Sequence, residues 1–151
     1  MKRKDGWEIR LDDFLKKRKT APFIWGVNDC CLFSADGVQI LNDNDPASWF
    51  RKKYSTKLQA FKILREFVGR HPEQDPGKGP LIIRVASILA IQHGFSKISP
   101  MFGKRGDVCA LETGRGVGLG VIDLTGAAIV TPGDRGLVSF PLASAICAWS
   151  V

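Results

Sequence analysis

The spacing of apolar residues changes near Gly94 and divides the chain into two halves. Before Gly94, apolar side chains recur three or four residues apart, which is the period of helices with one buried face. After Gly94, short apolar runs alternate with Gly, Pro and Asp, a pattern typical of strands joined by tight turns. Helices followed by a run of strands predict an α+β domain whose helices pack on one antiparallel sheet.

The first half predicts four amphipathic helices. They span about Trp7–Arg18, Asp29–Leu41, Lys57–Val68 and Leu81–Gln92. Gly69 is expected to end the third helix, and the tract 42–46 is expected to cap a short additional helix from Pro46 to Phe50. Gly37 lies inside the second helix, where a glycine costs about 1 kcal/mol relative to alanine.

The second half predicts an antiparallel sheet of about five strands. They span Asp107–Leu111, Leu119–Leu124, Ala127–Val130, Leu137–Phe140 and Ala145–Val151. Residues 1–94 are thus expected to be mainly helical and residues 105–151 mainly strand, within a single domain covering 1–151. A chain of this length buries roughly 70% of the surface that its unfolded form exposes, so its stability requires no disulfide or metal.

The segment Trp25–Phe33 runs from a turn directly into the second helix. Asn28 or Asp29 can cap that helix, and the helix dipole favours negative charge on Cys30 in the first turn. This is where a thiol becomes a nucleophile, so Cys30 is a candidate catalytic residue. The alternative is that Cys30 packs as a small apolar residue, as is expected of Cys31.

A nucleophilic thiol needs a base, and the chain has only two histidines. His93 is the one candidate base, although a histidine in the last turn of a helix is also favoured by the helix dipole alone. His71, in the loop before Pro72, is a weaker candidate. Neither is placed beside Cys30 by the sequence.

The four cysteines have no metal-ligand spacing, and the sequence predicts neither a metal site nor a cofactor. The basic residues at the start are not followed by an apolar stretch, so no signal peptide or membrane span is expected. We expect the protein to be synthesised in the cytoplasm. In the cytoplasm the thiols of most proteins are reduced, and the same is expected of these cysteines. Cys109 and Cys147 nevertheless lie on predicted strands, and a disulfide between them stays open.

The net charge of +7 is concentrated in the first half of the chain. Residues 1–70 hold 15 Lys and Arg against 9 Asp and Glu, whereas residues 71–151 hold 7 against 6. The basic runs indicate a solvated helix face or a surface that meets an acidic partner protein. Nucleic acid is less favoured, because no nucleic-acid motif and no interleaving of aromatic and basic residues accompanies the charge.

Three short motifs, in this order, resemble the NlpC-type papain-like cysteine peptidases, which cut the peptide stems of bacterial cell walls. They are Trp25-Gly26, Asp29-Cys30 and the run Arg105–Val108. The resemblance implies a papain-like fold, with Cys30 in the place of the nucleophile and the bacterial cell wall as a possible target.

A closer resemblance is to a family of short phage and prophage proteins. It is carried by Trp-Gly-x-Asn-Asp-Cys at residues 25–30, Asp-Pro-Ala at 45–47 and Ala-Trp-x-Val at 148–151. Genes of that family usually lie among tail-tip genes. The resemblance therefore implies a component of a phage tail tip, located in the virion, whose partners are other tail proteins.

The chain departs from the peptidase pattern at the catalytic base. In the active enzymes the second strand begins with histidine, and Gly118 stands in that place here. The third polar group would fall near Val130 or Thr131. Loss of one triad member typically costs about 10⁴-fold in rate. We therefore expect a structural or assembly protein on a catalytically degenerate papain-like fold. The alternative is a cell-wall peptidase or amidase with Cys30 as nucleophile and His93 or a substrate group as base.

Overall fold

A computed structural model of the chain describes residues 2–151 as one α+β domain with four helices and a six-stranded antiparallel sheet. The helices are α1 (Trp7–Arg18), α2 (Cys30–Asn42), α3 (Lys57–Arg70) and α4 (Leu81–His93). The strands are β1 (Ser96–Ile98), β2 (Val108–Glu112), β3 (Val117–Ile122), β4 (Ala128–Gly133), β5 (Gly136–Pro141) and β6 (Ala145–Ser150). They lie in the order β1-β6-β2-β3-β4-β5, and single 3-10 turns precede β2 and β6. The α+β architecture predicted from the sequence is confirmed.

Two predictions within the helical half are wrong. The helix α3 continues through Gly69 to Arg70, because Phe67 and Val68 are buried on one side and Arg70 donates to Glu66 at 3.0 Å on the other. The segment 46–50 forms consecutive turns instead of a helix. There the Asp45 carboxylate binds both the Ala47 N–H and the Arg51 guanidinium, which folds the chain back on itself.

The prediction of about five strands missed β1, which lies at one edge of the sheet and pairs with β6. This strand has only three residues, two of them exposed, so it has no apolar alternation from which it could be predicted. The other five strands agree with the predicted ones to within two or three residues.

The sheet is buried on both faces. The four helices cover one face, which presents Val108, Ala110, Leu119, Val121 and Trp149. The opposite face holds Cys109, Leu111, Ile122, Ile129 and Ala148 beneath side chains that include Ile98, Phe140 and Leu142. The helix α2 lies directly on β3, where a side chain at Gly37 would begin 3.2 Å from the Val121 Cγ2 atom. The glycine inside α2 therefore allows the helix to approach the sheet closely.

The two strand cysteines lie on opposite faces of the sheet and do not form a disulfide. Cys147 pairs across the ladder with Ala110, whereas Cys109 pairs with Ala148. Because successive residues of a strand point to opposite faces, the two sulfurs are separated by the sheet itself. All four cysteines are free. Burial raises the pKa of Cys109 to about 12, so this thiol is unreactive near neutral pH.

In the described part of the chain, 2–151, no helix combines the length and apolar character needed to cross a membrane.

Candidate site around Cys30

The sheet opens between β3 and β4 because of a proline. These strands pair at Val121 and Ile122, and the next hydrogen-bonding position along the ladder would join Leu119 to Pro132. Proline has no N–H to donate there. The Thr131 hydroxyl donates to the Leu119 carbonyl instead, at 2.8 Å. Beyond this point the two strands separate and leave a groove.

The groove has a volume of about 770 Å³ and lies between the open strands, the start of α2, and parts of α3 and α4. Its apolar lining includes Phe23, Trp25, Phe61, Leu81, Val138 and Phe140. Four glycines also line it, namely Gly114, Gly116, Gly118 and Gly133. The groove is therefore mostly apolar, with main chain accessible where side chains are missing.

Cys30 is the first residue of α2, and its half-buried sulfur lines the groove. The Cys31 sulfur lies 3.9 Å away, within hydrogen-bonding distance, and either thiol can be the donor. Donation from the Cys31 S–H lowers the pKa of Cys30, and burial raises it. Donation from the Leu119 N–H lowers this pKa as well. Leu119 can donate in this way because Pro132 leaves its strand edge open. The same contact and burial raise the pKa of Cys31 well above its ordinary value.

The turn before Cys30 is held by two buried polar side chains, those of Asp29 and Asn28. The Asp29 Oδ1 atom caps α2 by accepting from the Leu32 N–H at 2.9 Å. Its Oδ2 atom accepts from the Gly26 N–H at 2.9 Å and from the Tyr54 hydroxyl at 2.6 Å. Of the two candidate caps, Asp29 is thus the one used. Asp29 is 1% exposed, so it supports the site from inside the fold rather than facing the groove.

Asn28 connects the same turn to the end of α1. Its side-chain amide donates to the Pro22 carbonyl at 3.0 Å, and its carbonyl accepts from Arg18 at 3.0 Å. The Asn-Asp-Cys run thus combines a tether, a helix cap and a thiol at consecutive positions.

Gly118 lies directly beside the thiol. A Cβ atom built on Gly118 would be 3.2 Å from the Cys30 Sγ atom and 3.0 Å from the Thr113 methyl group. The position that the resemblance to peptidases assigns to the catalytic histidine is therefore next to Cys30, and it carries no side chain. Of the two positions considered for a third polar group, Thr131 has its hydroxyl bonded to the Leu119 carbonyl.

The groove, formed entirely from described residues, is lined by neither histidine. The His93 Nδ1 atom lies 2.6 Å from the Asn44 Oδ1 atom, and its ring stacks on Phe95. Burial lowers the pKa of His93. The His71 Nδ1 atom lies 2.8 Å from the Phe67 carbonyl, at the end of α3. Both imidazoles thus make contacts of their own away from the groove lining.

The remaining polar groups near Cys30 are unsuited to act as a base. Burial raises the pKa of the Tyr54 hydroxyl, which already donates to Asp29. At the mouth of the groove, Arg115 from the β2–β3 turn pairs with Asp134 from the β4–β5 turn. Among residues 2–151, the groove lining therefore places a hydrogen-bonded thiol beside Gly118 and includes no histidine.

The family comparison covers almost the whole chain. A single family model matches residues 2–151, and its description is Domain of unknown function (DUF6950). The chain belongs to the DUF6950 family. No curated protein and no solved structure matches it. The matched region therefore covers the entire helix-and-sheet unit, including the groove.

Sequence reasoning missed three residues that shape this site, namely Tyr54, Leu119 and Pro132. Tyr54 lies in an irregular segment 25 residues from its partner Asp29, so no local pattern connects them. Pro132 carried a usable signal, because a proline inside an apolar run indicates an interrupted ladder.

The hydrogen bonds to Cys30 lead to a testable pH dependence. We expect iodoacetamide to alkylate Cys30 first, in a single ionisation step below the pKa of an ordinary cysteine, because the thiolate is the nucleophile. Cys31→Ala removes the S–H donor, so the step should move to higher pH. Mass spectrometry of the alkylated peptides over a pH series measures both effects. A profile unchanged in Cys31→Ala would show that Cys31 does not stabilise the thiolate.

Proposed function

We propose that this protein is a structural or assembly component of a bacteriophage tail tip, built on a papain-like fold whose site does not hydrolyse substrate. The tail role rests on the resemblance of residues 25–30, 45–47 and 148–151 to phage proteins, and the observation that carries the loss of hydrolysis is the pair Cys30 and Gly118. A thiol faces the groove at the start of a helix, and the strand position beside it is a glycine. The groove then serves as a docking surface, and its partners are other tail proteins.

The chemistry of amide cleavage supports a non-hydrolytic role. A preformed thiolate can attack a carbonyl, but the leaving amine must then be protonated and the acyl-enzyme must be attacked by an activated water. In papain-like enzymes one imidazole performs both proton transfers. No group lining this groove is placed to replace it, so turnover of a peptide bond should stop at or before the first step.

Virions test the proposal directly. We expect the protein to be found in purified particles by mass spectrometry and to fractionate with tail tips after disruption of the particles. Deletion of its gene should leave heads without functional tails, and a plasmid copy carrying Cys30→Ala should restore them, because the proposal needs the surface and not the thiol. Its absence from virions together with normal tails in the deletion strain would overturn the proposal.

One observation favours a second candidate, a cell-wall peptidase or amidase with Cys30 as nucleophile. The lowered pKa of Cys30 is a property that such a nucleophile needs. The base in that case would be His93 or a group on the substrate. With His93 as base, His93→Ala should change the pH profile of Cys30 alkylation. An identical profile in the wild type and His93→Ala would remove His93 from that role.

A further inference from the structure

We propose that the groove binds an extended, acidic segment of a partner polypeptide, whose main chain pairs with β3 and whose apolar side chains enter the groove. The inference rests on the proposed function in one respect, that a partner protein docks at this site. It adds the conformation and the charge of the docking segment. Three separate features of the groove carry it.

The first feature is an unpaired strand edge. Along the β2–β3 ladder, Gly118 and Gly120 occupy the positions that bond to β2, as the Ile122 N–H to Asp107 bond shows. The N–H and C=O of Val117 consequently point away from β2, towards the groove. On that side β4 pairs only with Val121 and Ile122. An extended polypeptide can supply the missing partner by adding a strand.

The second feature is the lining of the groove. Glycines on both walls leave room for another main chain to approach, as glycines in strands often do. Between them lie aromatic and aliphatic side chains, including Phe61 and Phe140. A second, apolar cavity of about 70 Å³ shares Cys31, Tyr54, Leu64 and Ile82 with the groove. Alternate side chains of an added strand would point into this apolar space.

The third feature is a basic rim along α3. Lys57 and Arg65 lie four residues before and after Phe61, so the three share one helix face. Phe61 lines the groove; Lys57 and Arg65 are not among its lining residues, and we infer from their spacing on α3 that they flank it. Both are exposed, and neither forms an ion pair with any residue of 2–151. The rim lies within a strongly basic stretch, because residues 51–70 hold seven Lys and Arg against one Glu.

These features together favour a polypeptide over a nucleic acid. The Val117 edge offers one donor and one acceptor at strand spacing, which a peptide main chain matches and a phosphate backbone does not. The free cations then select acidic residues that flank the apolar ones. Charge complementarity of this kind mainly sets specificity and the rate of encounter.

Fluorescence anisotropy with the whole chain tests the inference. The probe is a labelled ten-residue peptide in which Glu and Asp alternate with Leu and Val. We expect it to bind, and we expect the same peptide with Lys in place of the acidic residues to bind at least about tenfold more weakly. Two further peptides carry N-methyl groups on alternate amides, one on the odd and one on the even positions. One of them should lose binding and the other should keep it, because only one edge of an added strand faces β3.

Matched charge reversals locate the site. Lys57→Glu combined with Arg65→Glu should weaken binding of the acidic peptide by about tenfold or more. The control pair, Lys17→Glu with Lys62→Glu, makes the same change in net charge, on α1 and on another face of α3. It should change affinity by less than about twofold, since exposed charges beyond a Debye length are largely screened.

Three outcomes would overturn the inference. They are no binding of the acidic peptide at millimolar concentration, equal losses in the two charge-reversed pairs, and tighter binding of a ten-residue single-stranded oligothymidylate than of the peptide. These results are separable from those on the proposed function. Peptide binding by a protein whose gene is dispensable for tails would remove the tail role and keep the peptide site.

Discussion

Replacing Gly26 with alanine is expected to destabilise the fold by more than about 4 kcal/mol. Few single substitutions cause a loss of stability this large. Gly26 has a φ of 77°, in the left-handed region that residues with a Cβ avoid. A Cβ at this position would also be 2.0 Å from the Tyr54 carbonyl oxygen, which is main chain and cannot rotate away. The turn before Cys30 would have to separate from the segment that holds Tyr54.

Two further glycines isolate the causes in the same urea-denaturation series. Gly77→Ala has the same conformational cost at a φ of 76°, with nothing within 4 Å, and should cost about 1 to 2 kcal/mol. Gly69→Ala lies in α3 with open space around it and should stabilise by about 0.5 to 1 kcal/mol. A loss at Gly26 no larger than that at Gly77 would show that the close contact with Tyr54 is wrong.

Asp29→Ala is expected to cost roughly 3 to 5 kcal/mol in the free energy of unfolding. Loss of a helix cap costs about 1 kcal/mol. The Gly26 N–H and the buried Tyr54 hydroxyl would also lose their acceptor, and each unsatisfied buried group costs about 1 to 3 kcal/mol. The effect should exceed that of an ordinary cap because one carboxylate satisfies three donors.

The variant Tyr54→Phe provides the control, because it removes the hydroxyl together with its need for an acceptor. It should cost only about 0.5 to 1.5 kcal/mol, the net value of one hydrogen bond. In the double variant, the losses should not add, since Tyr54 and Asp29 share a contact at 2.6 Å. Additive losses would indicate that this hydrogen bond does not form in solution.

The helices and most strands follow from the sequence because their apolar periods are long and regular. The helix start at Cys30 also follows, since Asp29 is a strong cap and is followed by a run of helix-compatible residues. The strand β1 and the turns at 46–50 do not follow, because their structure depends on pairing with β6 and on the Asp45–Arg51 contact. Local patterns contain neither kind of information.

The site is only partly predictable for a similar reason. Cys30 and Gly118 are 88 positions apart, and only a resemblance between sequences suggests that they meet. The groove depends on Pro132 opening the sheet, which leaves the Leu119 N–H to the thiol and the Val117 edge to a ligand. These effects depend on which residues of β3 form hydrogen bonds to β2 and which face β4. That pattern is known only once the pairing register of the strands is known.

The central proposal is that Cys30 is a reactive thiol in a groove that lacks the proton-transfer group that hydrolysis needs. The most direct test is the release of stem peptides from purified peptidoglycan by the wild type and by Cys30→Ala, at matched concentration and folded state. We expect the two to be equal and at background, while Cys30 in the same wild-type sample is still alkylated readily. Release by the wild type above that of Cys30→Ala would contradict the account and favour the hydrolase.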